Sequence, residues 1–401
     1  MLLSFKVKNF RSFKEEQEIS FILNEDEHIE ANRSFVINTK NREIRVLKNA
    51  VIYGANASGK TNLLLALQTL GRLIIHPASS DNQGLYFDTF VLNRDNTRFE
   101  IKFVEEDSIF EYHLEYNFER VVFENLYKND LIVFERNHQE FIFPDLDESV
   151  ETLLKTVRKT GLLIFSAQNF NVEDTKKAFS WFFNSFHAAS ASIINILKTD
   201  KGFKEKILYA LQFADFNILD IEVEERKQVS LSDTHINIFQ KEVVQYITEV
   251  YFVYENNGKK FRILLQNESQ GTRAYFKIIL LLLNPNNKKG SFLFRDELDL
   301  SLHKQLTYSL VELLNSEKNY IQFISTSHDS SIMNLLSKHQ IYFIEKNVEG
   351  ESEIFTLSDF EDIDEGHSDP KYASEYEAGL FGAEQIINDA GLMSIFGVED
   401  E

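Results

Sequence analysis

Alternation of apolar and polar residues predicts short strands along much of the chain. In the N-terminal part it predicts a pair of strands within 1–21 and one strand over 45–53. Four further short runs, separated by polar turns, predict an antiparallel meander over 99–103, 110–116, 120–127 and 131–136. Later strands are predicted over 217–225, 235–239, 250–254 and 261–265.

In three stretches of the chain, apolar residues recur at helical spacing. Leucine and isoleucine recur three to four residues apart over 61–74, residues 148–214 are mainly helical by period, and 269–283 form a strongly apolar helix. Beyond it, predicted strands and helices alternate over 292–294, 302–314, 321–325, 330–336 and 341–345. Such alternation is typical of parallel strands with crossover helices, so the predicted fold class is α/β.

The pattern divides the chain into three segments. Residues 1–140 are predicted to form a first lobe that contains the meander, 141–215 a mainly helical insertion, and 216–401 a second lobe. This arrangement is that of an α/β lobe interrupted by a large insertion.

Composition excludes several kinds of site. The chain has no cysteine, which removes disulfides, thiolate zinc sites, iron–sulfur clusters and thiol nucleophiles, and which fits the reducing cytoplasm. Its longest aliphatic run, 278–283, is far too short to cross a bilayer, and we expect no signal peptide and no membrane contact. The net charge of −21 repels polyphosphates at long range, so nucleic-acid binding would need a local basic patch.

A glycine-rich loop follows the strand predicted over 45–53 and precedes the helix predicted over 61–74. It fits the phosphate-loop pattern G-x-x-x-x-G-K-[ST] at every fixed position, with Gly54, Ala55, Asn56, Ala57, Ser58, Gly59, Lys60 and Thr61. Backbone N–H groups of such a loop converge on phosphate oxygens, while Lys60 reaches the β- and γ-phosphates and the Thr61 hydroxyl ligates Mg²⁺. A chance match in an ordinary turn is the alternative, but strand, loop and helix come in the right order.

Two carboxylates end the strand predicted over 292–294. Asp296 is placed to hold Mg²⁺, and Glu297 to orient and deprotonate an attacking water. An Asp-Glu pair alone is more often a simple strand-end turn. Here His328 follows the next predicted strand, and neighbouring parallel strands end at the same sheet edge, so Glu297 and His328 are both expected to face the phosphates.

Ser269 begins the apolar helix and, taken alone, would be an ordinary helix N-cap. It lies, however, at the distance before Asp296 at which ABC-type ATPases carry their signature segment. Together with the opening 5–13 and the segments 268–273, 296–299 and 325–328, these motifs resemble the ABC ATPase branch that includes RecF and the SMC proteins. More closely, with the tail segments 344–346, 357–360 and 376–383, they resemble prokaryotic AAA-family ATPases of the AbiL/RloA type found in phage-defence operons.

The resemblance implies an ABC-type P-loop NTPase fold with an antiparallel β-subsheet and a helical insertion. It also implies ATP and Mg²⁺ as cofactors and a head-to-tail homodimer that sandwiches two ATP molecules. Roles are implied for several residues: Ser269 and Gly271 would touch the γ-phosphate bound by the other subunit, Asp299 would communicate across the interface, and His328 would sense the γ-phosphate. Arg11 and Asn56 resemble nucleotide-contacting positions.

Two positions depart from the pattern. The signature carries Gln270 before Gly271 instead of two glycines, which is tolerable because the serine hydroxyl and backbone N–H groups make the contact. Arg295 replaces the apolar residue expected before Asp296. Strand alternation points its side chain away from that of Asp296, whereas an ion pair with Asp296 or Glu297 would depress turnover.

The leading functional hypothesis is a slowly hydrolysing ATP switch in anti-phage defence, controlling a partner effector, expected to be a nuclease encoded nearby. The acidic stretch over 359–365 is interpreted as a solvated loop rather than a metal site. A RecF-like clamp that binds DNA directly is the alternative, with small basic clusters at Lys201, Lys204, Lys206, Lys288 and Lys289. A small-molecule P-loop kinase is a third possibility, but it leaves the spacings of Ser269 and His328 unexplained.

Overall fold

The structure is a computed structural model of the chain. It describes residues 1–25, 27–39, 43–78, 83–91, 93–186, 191–214, 216–231, 242–360 and 371–385. The strand predicted over 235–239 and most of the acidic stretch, 361–365, lie outside the described residues.

The secondary structure alternates strand-rich and helix-rich stretches. The strands are β1 (Leu2–Lys8), β2 (Gln17–Ser20), β3 (Ile22–Leu23), β4 (Ser34–Asn38), β5 (Glu43–Leu47), β6 (Asn49–Tyr53), β7 (Thr97–Glu105), β8 (Ser108–Tyr116), β9 (Val121–Lys128), β10 (Leu131–Asn137), β11 (Glu140–Ile142), β12 (Asp220–Leu231), β13 (Glu242–Asn256), β14 (Lys259–Leu264), β15 (Phe292–Arg295), β16 (Gln322–Thr326), β17 (Ile341–Lys346) and β18 (Ser352–Thr356). The α-helices are α1 (Lys60–Ile75), α2 (Glu148–Leu154), α3 (Leu163–Asn169), α4 (Glu173–Phe186), α5 (Ala191–Thr199), α6 (Lys201–Phe213), α7 (Gln270–Leu282), α8 (Lys304–Leu314) and α9 (Tyr372–Glu377). Short 3₁₀-helices cover Ala31–Arg33, Leu265–Asn267, Ser330–Leu335, Lys338–Gln340 and Leu357–Asp359.

The chain divides into two compact units. The first contains Met1–Phe186, Gly290–Leu298 and Tyr308–Glu401, and the second contains His187–Lys289 and Asp299–Thr307. The three segments predicted from the sequence, 1–140, 141–215 and 216–401, stay a prediction. Among the described residues, no helix combines the length and the apolar character that crossing a membrane requires.

A five-stranded sheet forms the centre of the first unit, with the order β15-β16-β6-β17-β18. The first four strands are parallel and β18 is antiparallel to β17. Every residue of β6 and β16 is buried, as expected for strands covered on both faces. Because β15, β16 and β6 are parallel neighbours, their carboxyl ends meet at one edge of the sheet, which is where the candidate site lies.

A seven-stranded antiparallel sheet, in the order β11-β10-β9-β8-β7-β1-β2, belongs to the same unit. It confirms the predicted meander and the predicted N-terminal strand pair. Its buried face packs on α4, where Trp181 stacks on Phe103 with ring centroids 4.1 Å apart. Trp181 and Phe182 are therefore core residues, whereas Phe183 on the same helix is exposed.

One strand prediction is wrong. Residues 45–53 were expected to form a single strand, but they belong to β5, in a three-stranded sheet with β3 and β4, and to β6, in the central sheet. The chain changes sheets at Lys48, whose backbone N–H donates to Arg33 O at 2.9 Å and whose carbonyl accepts from Phe323 N–H at 2.7 Å. The polar pair Lys48 and Asn49 stands at this junction, but both residues are buried, and two polar residues within the run do not show that the chain changes sheets.

The second unit combines α5, α6 and α7 with a three-stranded antiparallel sheet, β12-β13-β14. Helix α7 packs on α6 and, through Phe276, on Phe252 of β13, with ring centroids 5.0 Å apart. The apolar positions of α7, predicted from its helical spacing, are buried. This packing holds the N-terminal end of α7, with Ser269, on a rigid base.

Candidate nucleotide site

The phosphate loop runs from the end of β6 to the start of α1. Gly54 has φ +149° and Gly59 has φ +123°, values that side chains rarely adopt. A Cβ on Gly54 would also collide with the carbonyl oxygen of Ile344, and one on Gly59 with the hydroxyl of Ser352. Glycine is thus required at both fixed positions of the motif, by backbone conformation and by close packing.

Lys60 places its charge inside this loop. Its ammonium group donates to the carbonyl oxygens of Gly54 at 2.7 Å and of Ala55 at 2.9 Å, and only 5% of the residue is exposed. Helix α1 begins at Lys60, directly after Gly59, which has no side chain to cap the first N–H groups. The loop therefore combines a lysine cation with the partial positive charge of a helix N-terminus, an arrangement that binds phosphate.

A chain of hydrogen bonds connects the start of α1 with the ends of β15 and β16 around Asp296. The hydroxyl of Thr61 donates to Asp296 Oδ2 at 2.9 Å, and the hydroxyl of Thr326 donates to Asp296 Oδ1 at 2.6 Å. The backbone N–H of Glu297 donates to Thr326 Oγ1 at 2.7 Å. Residues from α1, β15 and β16, separated by more than 200 positions in sequence between Thr61 and Asp296, thus meet at one point.

These oxygen atoms fit Mg²⁺. A hydroxyl and a carboxylate that lie 2.9 Å apart are hard oxygen ligands of the kind this ion prefers. In the described part of the chain, no group of three or more His, Cys, Asp and Glu side chains is arranged to hold a metal. Thr61 and Asp296 could therefore supply two ligands, with phosphate and water oxygens completing the shell, as is common for Mg²⁺.

Glu297 begins a tight turn after β15. It has φ +52°, an unusual conformation for a residue with a side chain, and the next residue, Leu298, donates its N–H to Thr326 O at 2.9 Å. Two backbone hydrogen bonds to Thr326 thus hold this turn. His328 lies two residues beyond Thr326 and its side chain is exposed, so the end of β16 carries it to the same edge.

Thr326 is the site residue that sequence reasoning missed. It bonds both to the carboxylate of Asp296 and to the backbone of Glu297. The available signal was its position at the end of a predicted strand, two residues before His328. A threonine there is also a common strand residue, so its position alone did not indicate a role.

Arg295 is partly buried next to the two acidic residues. Burial lowers the pKa of its guanidinium, while the charges of Asp296 and Glu297 oppose that shift. Its buried Nε has no hydrogen-bond partner in the part of the chain that the structure describes. Arg295 is thus a partly desolvated cation close to both carboxylates.

Arg11, for which the resemblance implies a nucleotide contact, lies close to the first turn of α1 through its contact with Asn62. Its Nε donates to Asp88 Oδ2 at 2.7 Å, and its other nitrogens donate to Tyr86 Oη at 3.3 Å and to Asn62 Oδ1 at 3.4 Å. Burial acts to lower the pKa of Arg11, but the hydrogen bond to Tyr86 and the charge of Asp88 raise it overall. Arg11 thus remains a fixed cation close to the start of α1.

Ser269, Gly271 and Asp299 belong to the second unit. The hydroxyl of Ser269 accepts from the N–H of Thr272 at 3.1 Å and so forms the N-cap of α7. Gly271 has a separate reason to be glycine, since a Cβ there would lie 2.6 Å from the carbonyl oxygen of Ser301. The segment that begins with Asp299 therefore lies against the start of α7, and Ser269 is exposed.

The lysine clusters considered for DNA binding are weak candidates. Lys204 forms an ion pair with Asp220 at 2.7 Å. Lys201 and Lys206 lie on the same helix and are exposed. Isolated exposed lysines of this kind are common on soluble proteins, so they do not define a phosphate-binding surface.

Comparison with known proteins identifies a sequence family. The profile of the family described as "AAA domain, putative AbiEii toxin, Type IV TA system" matches residues 50–334, a range that includes the phosphate loop, Ser269, Asp296, Glu297 and His328. No curated protein matches the chain. The predicted α/β fold class with an antiparallel β-subsheet and an insertion of helices is confirmed, and the family match includes the phosphate loop.

Similar solved structures are heads of SMC proteins. One, the SmcHead bound to the C-winged helix domain of ScpA, has a TM-score of 0.44 and 15% identity and covers 88% of this chain and 97% of its own. The SMC head domain from Thermotoga maritima has a TM-score of 0.41 and 16% identity, covering 88% of this chain and 98% of its own. A Smc head domain with an extended coiled coil, bound to the C-terminal domain of ScpA from Pyrococcus furiosus, has a TM-score of 0.44 and 13% identity, with coverages of 88% and 96%.

Proposed function

Because the chain belongs to the family described as AAA domain, putative AbiEii toxin, Type IV TA system, we propose that it is an ATP-driven switch. Its closed form is a homodimer around two ATP molecules, and its hydrolysis of ATP reopens that dimer. The observation that carries this proposal is the hydrogen-bonded contact of Thr61, Asp296 and Thr326 at the carboxyl edge of the central sheet. The three groups lie beside a glycine loop and a buried lysine.

Within one chain, we assign to each residue of the candidate site a role that its position supports. Lys60 and the N–H groups of the phosphate loop bind the β- and γ-phosphates. Asp296 and Thr61 hold Mg²⁺, which neutralises charge on those phosphates. Glu297 orients a water molecule and takes its proton at the carboxylate, and Thr326 keeps Asp296 and Glu297 in register. His328, on the adjacent strand end, donates to the γ-phosphate.

The second unit supplies the contact from the other subunit. We assign to Ser269 and to the N–H groups at the start of α7 a bond with the γ-phosphate held by the partner chain. Gly271 lets the segment beginning with Asp299 lie close to this helix end, so that Asp299 can respond to the same contact. Closure then depends on the γ-phosphate, and hydrolysis changes the population of closed dimers.

The family description, which names a putative AbiEii toxin and a Type IV TA system, supports the biological role that we propose. We assign the protein to anti-phage defence in the cytoplasm, where it controls a partner effector with nuclease chemistry. The DNA-clamp alternative has less support, since Lys204 is already paired with Asp220. DNA binding by the purified chain that depends on ATP and weakens steeply with salt would favour the clamp.

The substitution Asp296→Asn tests the contact of Thr61, Asp296 and Thr326 at the carboxyl edge of the central sheet. The amide keeps the shape of the carboxylate but removes its charge, so we expect ATP hydrolysis to fall at least about 100-fold, in line with the loss of a group that positions Mg²⁺. The matched control is Asp145→Asn, at an exposed position in the loop after β11, which leaves the rate unchanged. Hydrolysis by Asp296→Asn at the parental rate, measured as phosphate release at saturating Mg²⁺ and ATP, contradicts the assignment.

A further inference from the structure

A segment near the C-terminus, residues 371–385, is anchored beside the phosphate loop. The ring of Tyr376, in α9, stacks on Phe343 of β17 with centroids 5.6 Å apart, and it lies 6.3 Å from Tyr53. Phe381 adds a second contact with Phe343 at 6.0 Å. Since Tyr53 is the last residue of β6, this aromatic cluster fixes the segment at the point where the phosphate loop begins.

The path of the segment is held by specific backbone contacts. The hydroxyl of Tyr376 donates to the carbonyl oxygen of Ala383 at 2.9 Å, which closes a loop between these residues. Gly382 has φ +70° and Ala383 has φ +59°, although Ala383 carries a side chain that is buried. A positive φ outside glycine persists where the surrounding contacts enforce it, so the turn that directs Gln385 is a defined feature of the fold.

Gln385 contacts the phosphate loop directly. Its side-chain oxygen Oε1 accepts a hydrogen bond from the backbone N–H of Asn56 at 2.8 Å. Asn56 lies in the stretch of the loop whose N–H groups would bind phosphate oxygens. One N–H cannot make a full hydrogen bond to an amide oxygen and to a phosphate oxygen at the same time, so Gln385 and nucleotide compete for it.

The other end of the segment contacts the chain that follows His328. Ser330 donates its hydroxyl hydrogen to Glu377 at 2.5 Å, and the side-chain oxygen of Asn334 accepts from the backbone N–H of Ala373 at 3.1 Å. Both contacts involve the 3₁₀-helix Ser330–Leu335, which begins two residues after His328. One short segment thus touches the phosphate loop and the strand end that carries the proposed γ-phosphate sensor.

We propose that residues 371–385 form an intramolecular gate on the phosphate loop. Gln385 acts as a neutral mimic of a phosphate oxygen, nucleotide displaces it, and its release is transmitted through α9 to the residues after His328. The gate rests on the proposed function, because it assumes that the loop binds ATP. It sets the affinity for nucleotide and couples nucleotide binding to movement of a surface segment, which is available to signal to a partner.

The first test compares the dissociation constants of three variants for AMP-PNP with Mg²⁺, measured by isothermal titration calorimetry. Gln385→Ala removes the competing acceptor and tightens binding by about 2- to 10-fold, the worth of one neutral hydrogen bond. Gln385→Glu retains the acceptor and adds a negative charge that repels phosphate, so binding weakens. Gln139→Ala, at an exposed glutamine in the turn between β10 and β11, is the matched control and leaves the dissociation constant unchanged.

A second measurement separates failure of the gate from failure of the proposed function. Hydrogen exchange of the parental protein is followed with and without AMP-PNP: exchange falls over 54–61 and rises over 372–385. Lys60→Ala, which cannot hold the phosphates, shows neither change. If the parental protein does not bind AMP-PNP, the proposed function is wrong and the gate with it. If it binds but Gln385→Ala has the parental dissociation constant and exchange over 372–385 does not rise, the gate alone is wrong.

Discussion

The carboxyl edge of the central sheet and the start of α7 both carry the polar residues of the candidate site, but they use them differently. At the sheet edge, Thr61, Asp296 and Thr326 come from distant parts of the sequence and bond to one another. At α7, the hydroxyl of Ser269 accepts from the N–H of Thr272, three residues along its own helix. The first region is a preorganised set of groups, while the second is a capped helix end with an exposed serine.

Under the proposed function, the two regions contribute to one activity in different ways. The sheet edge brings a cation, a carboxylate pair and two hydroxyls together within one chain, as nucleotide binding requires. The helix end has a positive dipole and a hydroxyl, which suit a phosphate presented from outside. We therefore expect changes at the sheet edge to affect each chain alone, and changes at α7 to act only when two chains meet.

The largest effect is expected for Glu297→Gln, at the sheet edge. The amide cannot accept a proton from water, so turnover falls about 10²- to 10⁴-fold, while ATP affinity stays near the parental value. Phosphate release and calorimetry measure the two quantities. Turnover of Glu297→Gln at the parental rate would exclude Glu297 as the base. A loss of ATP affinity as large as the loss of turnover would show instead that the change disrupts ATP binding.

The next largest effect is expected for Lys60→Ala. Loss of the cation in the loop weakens ATP binding at least about 100-fold, because charge-assisted bonds to two phosphates disappear. The loss is the same at every protein concentration, since the lysine acts within its own chain. Lys176→Ala, at an exposed lysine of α4, controls for the removal of a charge. Tight ATP binding by Lys60→Ala would mean that the phosphate loop does not bind ATP as proposed.

An intermediate effect is expected for Ser269→Asp, at the start of α7. Aspartate is as good an N-cap as serine, so the melting temperature stays unchanged, but its charge repels a γ-phosphate. Turnover falls about tenfold or more, whereas ATP binding by dilute protein is unaltered. Sedimentation with AMP-PNP shows fewer dimers than for the parental chain. Equal turnover and equal dimerisation would mean that Ser269 is only a helix cap.

The smallest effect is expected for Arg11→Ala. Arg11 is one cation beside the first turn of α1, already paired with Asp88, so its removal weakens ATP binding about 3- to 10-fold. Arg94→Ala, at an exposed arginine nearby in sequence, leaves the dissociation constant unchanged. An affinity loss as large as that of Lys60→Ala would instead place Arg11 among the main phosphate ligands.

The two regions also differ in how far the sequence predicts them. The phosphate loop, the Asp-Glu pair and the cap at Ser269 depend on local spacing, which a sequence displays directly. Thr326 and the partners of Arg11, which are Tyr86 and Asp88, take their places through long-range contacts that leave no local pattern. The contact between Gln385 and Asn56 joins residues far apart in sequence, and nothing in either residue indicates the other.

Some predicted boundaries of secondary-structure elements are wrong because the residue pattern does not show where one element ends. The polar pair Lys48 and Asn49 interrupts the run over 45–53, but it does not by itself show that β5 and β6 lie in different sheets, which the tertiary structure shows. The helix predicted over 330–336 is a 3₁₀-helix over Ser330–Leu335. Its start is held by Asp329, which accepts from the N–H of Ser331 at 3.0 Å. Such short helices depend on capping and packing more than on periodicity.

Mixing two impaired variants tests most directly whether Ser269 of one chain contacts the nucleotide that another chain holds. Lys60→Ala lacks the cation of the phosphate loop but keeps Ser269. Ser269→Asp keeps Lys60 but lacks the serine hydroxyl. In a head-to-tail dimer, a 1:1 mixture recovers about a quarter of the parental ATPase activity, because half of the randomly formed dimers contain one complete site out of two. A mixture no more active than the average of the two variants measured alone would contradict the claim that one chain completes the nucleotide site of another.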